Sequence, residues 1–204
     1  MYRYGIKRIF DIIGSLLLLP FLLLIMIPVV IMIKLEDKGP VFYNAPRLGK
    51  GMKEFPMYKF RSMKVNAPDI RNEDGSTFNS DNDPRVTKIG HILRKTSIDE
   101  LPQLLNVLKG DMSFVGPRPS PLGNKDIYPK EFFKKFDVRP GITGYNQAIL
   151  RNDSTMEQRV KNDVYYVENL SFMLDVKIIF LTAVSVVNSK NINRNNDGKQ
   201  KAGN

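Results

Sequence analysis

Ile12 to Ile33 is a run of 22 residues without a charge. No other feature limits the fold so strongly. As a helix rising ~1.5 Å per residue it would be about 33 Å long, close to the ~30 Å hydrocarbon thickness of a bilayer. Apolar residues cover every face, which argues against an ordinary core helix. A secretory signal peptide has a shorter apolar core and a small-residue cleavage site, and no such site follows here. Pro20 and Pro28 interrupt the run; each removes a backbone donor and tends to kink a helix. Both flanks are basic, with Arg3, Lys7 and Arg8 before the run and Lys34 and Lys38 after it. Positive charge marks cytoplasmic ends, so the flanks favour neither orientation of a span. Two basic ends fit a segment that enters the membrane, bends and returns to the same face. A true span and a soluble hydrophobic hairpin are the alternatives. Asp11, three residues from Arg8, reads as its ion-pair partner on the helix face.

Beyond Gly39-Pro40 the chain reads as one compact, mostly soluble domain. Val41 to Tyr43 and Phe55 to Phe60 are expected strands around a turn at Arg47 to Gly51. Asn66 to Pro84 is polar and acidic and reads as a surface loop. Helices are expected at Val86–Leu93, Leu101–Leu108, Met156–Glu168 and Asp175–Val187. The last of these contains the apolar run Val176 to Val187, too short to span a membrane, so it packs on the domain or lies along the interface. The Asn- and Lys-rich stretch 188–204 reads as a disordered polar tail.

Residue usage removes whole classes of chemistry. There is no Cys, which excludes a disulfide scaffold, thiolate metal sites and a cysteine nucleophile. A single His, His91, excludes a His-rich metal site and is assigned no role. Reactivity must rest on carboxylates, Lys, Arg, Tyr, Ser, Thr and the backbone. It concentrates in Thr96-Ser97-Ile98-Asp99-Glu100-Leu101-Pro102-Gln103. Successive helical residues point about 100° apart, so Asp99 and Glu100 take different tasks rather than sharing one proton. One is suited to attack phosphorus while the other helps to hold a metal or a proton. The structural alternative is a capping box, Ser97 with Glu100, at a helix start. Arg118, Arg139 and Arg151 each lie beside Pro, Gly or Asn, Arg94 lies just upstream of the two acids, and Arg is suited to bidentate phosphate binding. With the acids they suggest a phosphorylated substrate and a divalent cation. No glycine signature of a P-loop or dinucleotide fold is present.

The chain resembles the bacterial sugar transferases, the monotopic phosphoglycosyl transferases that initiate glycoconjugate synthesis. The resemblance is carried by Lys7-Arg8-Ile9-Phe10-Asp11, Gly39-Pro40-Val41-Phe42, Tyr58-Lys59-Phe60-Arg61-Ser62-Met63 and Asp83-Pro84-Arg85. It continues from Leu93 through Asp99-Glu100-Leu101-Pro102-Gln103 and Asn106 to Ser113, then Gly116-Pro117-Arg118-Pro119. Val138 to Gly144 and Asp163-Val164-Tyr165-Tyr166 complete it. The segment 93–119 is the most specific part. Where family members usually carry Ser-Pro near the middle of the membrane helix, this chain has Leu23-Leu24, with Pro20 and Pro28 to either side. After Gly144 it reads Gln147-Ala148-Ile149-Leu150-Arg151 instead of the frequent Gln-Val-Asn-Gly-Arg, a difference that bears on sugar choice.

The resemblance implies an α+β, mainly helical fold. Residues 1–38 are a re-entrant N-terminal membrane helix, and 39–187 a small cytoplasmic catalytic domain with amphipathic interfacial helices. The implied reaction moves a sugar 1-phosphate from a UDP-sugar to a polyprenol phosphate, usually undecaprenyl phosphate, and releases UMP by a ping-pong route. Asp99 is the implied nucleophile and Glu100 its acidic neighbour, together holding Mg2+; Lys59, Arg94, Arg118, Arg139 and Asp163 are the implied substrate-binding residues. The implied partners are a UDP-sugar, undecaprenyl phosphate, membrane lipid and downstream glycosyltransferases, with no nucleic acid. The implied location is the cytoplasmic face of the bacterial inner membrane. The formal charge of +10 also raises a membrane-tethered nucleic-acid binder, but the basic residues are interleaved with acids rather than gathered in one stripe with aromatics. A non-catalytic membrane scaffold is the remaining alternative, against which the intact Asp99, Glu100 and Arg118 argue.

Overall fold

The computed structural model describes residues 1–70, 78, 80, 83–123, 128–150 and 154–187. The architecture is α+β and mainly helical. The long apolar run becomes α1 (Ile6–Asp37), which continues through Pro20 and Pro28 as one helix. It is the one helix among the described residues long and apolar enough to cross a membrane. Its buried residues are Asp11, Ser15, Leu22, Val29 and Ile33. Their spacings of four and seven residues return to one face at ~3.6 residues per turn. That stripe lies on the domain, while Leu17, Phe21, Leu24, Ile27 and Ile31 leave the other faces apolar and exposed. Asp11 is not the partner of Arg8 in an ion pair. Its Oδ1 instead accepts from the Ser113 hydroxyl and the Phe114 N–H.

β1 (Phe42–Leu48) and β2 (Glu54–Phe60) form an antiparallel hairpin, with Phe42 opposite Phe60 and Leu48 opposite Glu54. β1 runs further than expected, so the turn shifts to residues 49–53, where Gly51 adopts a φ of 64°. The inward residues Ala45, Phe55 and Met57 meet Val107 and Met112. α2 (Lys88–Lys95) starts at Thr87, whose hydroxyl accepts from the Gly90 N–H. Gly90 itself admits no side chain: a Cβ there would lie 1.9 Å from the Ser62 carbonyl oxygen. α3 (Gln103–Lys109) ends at Gly110, in the left-handed region with a φ of 97°.

β3 (Ser113–Val115) pairs in parallel with β5 (Gly141–Thr143), and β4 (Ser120–Pro121) joins the hairpin in the order β2-β1-β4. These strands of two or three residues are too short to leave a sequence period. A 3₁₀ segment, Lys130–Asp137, precedes β5. α4 (Tyr145–Leu150), α5 (Met156–Glu168) and α6 (Phe172–Val187) complete the fold. α5 opens on a capping box between Thr155 and Gln158. α6 begins three residues before the expected Asp175. It buries Ile178 against Val115, Tyr166 and Val167 and exposes Phe172, Met173, Val176, Ile179, Phe180 and Val184. Asp175 on α6 collects Tyr2, Lys7 and Tyr166, tying the start of the chain to its last helix. Most of the expected acidic loop and the whole expected tail lie outside the described residues.

Candidate active site

α2 stops at Thr96, and Ser97 turns the chain with a φ of 59°, unusual for a residue other than glycine. The chain then makes a 3₁₀ turn, Ile98–Glu100, before α3. The expected capping box does not form. Ser97 makes no capping hydrogen bond, and Glu100 turns instead toward two cations. Lys59, near the end of β2, donates to Glu100 Oε1 at 2.7 Å. Arg118, in the loop after β3, reaches the same oxygen at 3.4 Å and stays half exposed. That loop is held close by Gly116, where a Cβ would lie 2.4 Å from the Arg139 carbonyl oxygen. Arg94, in the last turn of α2, donates from Nε to the Ser62 hydroxyl at 2.9 Å, and its charge acts on Asp99.

Asp99 is 7% exposed, and among the described residues no hydrogen bond reaches its carboxylate. Burial pushes its pKa up to about 6; Lys59, Arg94 and Arg118 act against the rise and Glu100 adds to it. For Glu100 burial also opposes ionisation, but Lys59 and Arg118 outweigh it and hold the pKa at about 2. The two neighbours are thus driven apart: one is a carboxylate locked by cations, the other a more basic carboxylate with unshared lone pairs. Both cations fall on Oε1 of Glu100, and among the described residues no hydrogen bond reaches Oε2. Among the described residues no group of three or more His, Cys, Asp or Glu could hold a metal. Mg2+ is commonly held by one or two carboxylates together with substrate phosphates and water. The Asp99 carboxylate and Glu100 Oε2 fit that smaller set.

Of the residues singled out in the sequence, Lys59, Arg94, Asp99, Glu100 and Arg118 come together here. Arg139 and Asp163 do not. Arg139 donates from Nε to the Gly110 carbonyl at the end of α3, at 2.9 Å. Asp163, on α5, is buried 3.3 Å from Lys135, whose ammonium sits 4.3 Å from the centre of the Phe132 ring. Neither is among the main charges that act on Asp99 or Glu100. Arg151 lies outside the described residues. One contributor was not anticipated. Asn106, fully buried on α3, accepts from the Tyr58 N–H at 2.9 Å and donates to the Pro56 carbonyl at 2.8 Å. Its amide fastens α3 to β2 one residue before Lys59. The available signal was a lone amide inside the apolar run Leu104 to Leu108.

The family model described as bacterial sugar transferase matches residues 2–189. The chain is similar to "Uncharacterized sugar transferase EpsL" of Bacillus subtilis, 41% identical over 191 residues, covering 94% of this chain and 92% of that protein. It is similar to "Exopolysaccharide production protein PSS" of Rhizobium leguminosarum bv. phaseoli, 43% identical over 196 residues, covering 88% and 94%. It is also similar to "UDP-N-acetylgalactosamine-undecaprenyl-phosphate N-acetylgalactosaminephosphotransferase" of Aeromonas hydrophila, 39% identical over 188 residues, covering 89% of this chain but 44% of that larger protein.

Proposed function

Because the chain belongs to the bacterial sugar transferase family, we propose that it is a phosphoglycosyl transferase. It moves a sugar 1-phosphate from a UDP-sugar to undecaprenyl phosphate and releases UMP. The observation that carries the reading is Asp99: a buried carboxylate with no hydrogen-bond donor among the described residues, beside a second carboxylate that two cations neutralise. Hydrogen bonds would spread and stabilise the charge of a carboxylate, and their absence leaves it free to act as a nucleophile.

In the first half-reaction an Asp99 oxygen attacks the phosphorus bound to the sugar. The bond from that phosphorus to the bridging oxygen breaks, and UMP leaves with the electron pair. In the second, a phosphate oxygen of the lipid attacks the same phosphorus. The acyl-phosphate bond breaks, Asp99 is restored, and a lipid diphosphate sugar forms. Lys59, Arg94 and Arg118 offset the charge of the diphosphate and its transition state. Arg118 is the exposed member and the one suited to grip incoming phosphate. Asp99 and Glu100 would hold Mg2+, which would supply Lewis-acid charge compensation to the phosphate oxygens. Arg139 and Asp163 act at a distance, by holding α3 and α5.

The lipid acceptor keeps its tail in the bilayer, so the site must lie at headgroup level. The ties at both ends of α1 support a re-entrant course. Arg8 donates to the carbonyls of Val107 and Leu108, and Glu36 and Asp37, at the other end, bind Lys88, Ile89 and Arg61. A spanning helix would put those ends on opposite sides of ~30 Å of hydrocarbon. One domain at one face could not hold both. The basic chain and the exposed apolar face of α6 suit the anionic cytoplasmic surface of the inner membrane. The test is intact-mass analysis with a panel of UDP-hexoses and UDP-N-acetylhexosamines in the presence of Mg2+. A phospho-sugar adduct and stoichiometric UMP are expected, and neither is expected from Asp99→Asn. An adduct retained by Asp99→Asn would move the nucleophile elsewhere.

A further inference from the structure

Each of the four elements that carry the site is held by one charged side chain of α1. Near its C-terminal end, Glu36 accepts from the N–H groups of Lys88 at 2.6 Å and Ile89 at 3.1 Å, the start of the helix that bears Arg94. Asp37 takes both terminal nitrogens of Arg61, at 2.6 and 2.5 Å, two residues beyond Lys59. Near its N-terminal end, Arg8 donates to the carbonyls of Val107 at 2.5 Å and Leu108 at 2.7 Å, the far end of the helix that follows Asp99 and Glu100. Asp11 accepts from Ser113 at 2.9 Å and Phe114 at 3.1 Å, on the strand that leads to Arg118.

The signs suit the sites. Acid meets free N–H groups at a helix start, and base meets free carbonyls at a helix end. A segment that served only to keep the protein on the membrane would need none of these contacts. Pro20 and Pro28, where a helix bends most easily, lie between the two pairs. Lys59 and Arg94 follow the C-terminal pair, while Arg118 and the far end of α3 follow the N-terminal pair. Glu100 Oε1 bridges the two sets, 2.7 Å from Lys59 and 3.4 Å from Arg118. Asn106 clamps α3 to β2, so a change in the bend of α1 acts on what lies outside that clamp, moving α2, which bears Arg94, against α3 and Arg118 against Glu100.

We propose that α1 is a lever as well as an anchor: Arg8, Asp11, Glu36 and Asp37 are positioning residues, and bilayer thickness, acting on the bend of α1, sets the rate at which Asp99 reacts. This rests on the re-entrant course and the Asp99 chemistry proposed above. The test reconstitutes the full chain in phosphatidylcholine vesicles of short and long acyl chains. The first half-reaction is followed as UMP burst rate without polyprenol phosphate, so access of the lipid acceptor has no part. The parent rate should change by about fivefold across the series, the scale set by mismatch costs per ångström of thickness. Glu36→Ala, at an exposed position that spares the core, should lose most of that response, and Arg8→Gln likewise. The chain has no Cys. Spin labels on His91→Cys and Lys109→Cys, both exposed, therefore read the separation of α2 and α3 without any substrate. That separation should shift with thickness in the parent and not in Glu36→Ala. An unchanged separation in the parent, or a rate response that survives in both variants, overturns the proposal. If no donor yields UMP, the functional reading falls, and the spin-label distances alone decide the lever.

Discussion

Asp99→Asn should make the protein more stable while it removes turnover. The carboxyl is moved from its ordinary 3.8 to about 6, mainly by burial. At ~1.36 kcal/mol per pH unit this amounts to roughly 3 kcal/mol. The folded state favours the protonated form, so between pH 3.8 and about 6 it binds more protons than the unfolded chain. Stability therefore falls as pH rises through that window, and above it the penalty is complete. Asparagine carries no charge and escapes the penalty. The assay is urea unfolding in detergent with EDTA, followed by circular dichroism from pH 4 to pH 8. At pH 8 the variant should exceed the parent by up to about 3 kcal/mol, and the gap should close toward pH 4. Glu100 does not confuse the result. Its lowered pKa contributes stability that is present above about 4.5 and lost as pH falls toward about 2, mostly below the range scanned. A variant no more stable than the parent at pH 8, or a gap indifferent to pH, would refute the electrostatic account of Asp99.

The UMP burst should rise with pH with a midpoint no higher than about 6, because attack needs the ionised carboxylate and a bound Mg2+ lowers its pKa further; a burst that falls as pH rises from 5 to 8 would contradict this. Lys59→Met removes the cation that most opposes protonation of Asp99, so its burst midpoint should move above that of the parent. Asn106→Ala strands the Tyr58 N–H and the Pro56 carbonyl; at ~1–3 kcal/mol per unsatisfied buried group it should lower stability by about 3 kcal/mol, read by the same unfolding assay. Pro20→Ala combined with Pro28→Ala should stiffen α1 toward a span, exposing a tag at Met1 to the periplasm in a protease-protection assay.

The membrane segment was legible because a charge-free run of that length has few soluble uses, and Asp99-Glu100 because two acids follow two cations within a few residues. What could not be read was distance in space. Nothing local in Lys59 or Arg118 says that both converge on one Glu100 oxygen; that depends on the hairpin register and on a loop closed by Gly116. Arg139 has the same local setting as Arg118, beside proline and glycine, yet it ends on the Gly110 carbonyl. Asp11 followed the spacing rule for an ion pair with Arg8, but burial against β3 offered it a hydroxyl and an N–H donor, so tertiary packing overrode the local preference. The left-handed Ser97 is a further case. A serine followed three residues on by glutamate satisfies the capping pattern, and only the turn conformation reveals that the glutamate serves the site.

β2 is the outer strand of its sheet, and Asn106 occupies its free side through Pro56 and Tyr58. Exposed strand borders invite pairing with a neighbouring molecule. Confinement to a surface crowds copies of one protein far more than free solution does, which sharpens that hazard for a protein held on a bilayer. By filling the border with its own amide, and by setting at Pro56 a residue with no N–H to offer, the molecule closes the route by which copies would zip together into aggregates.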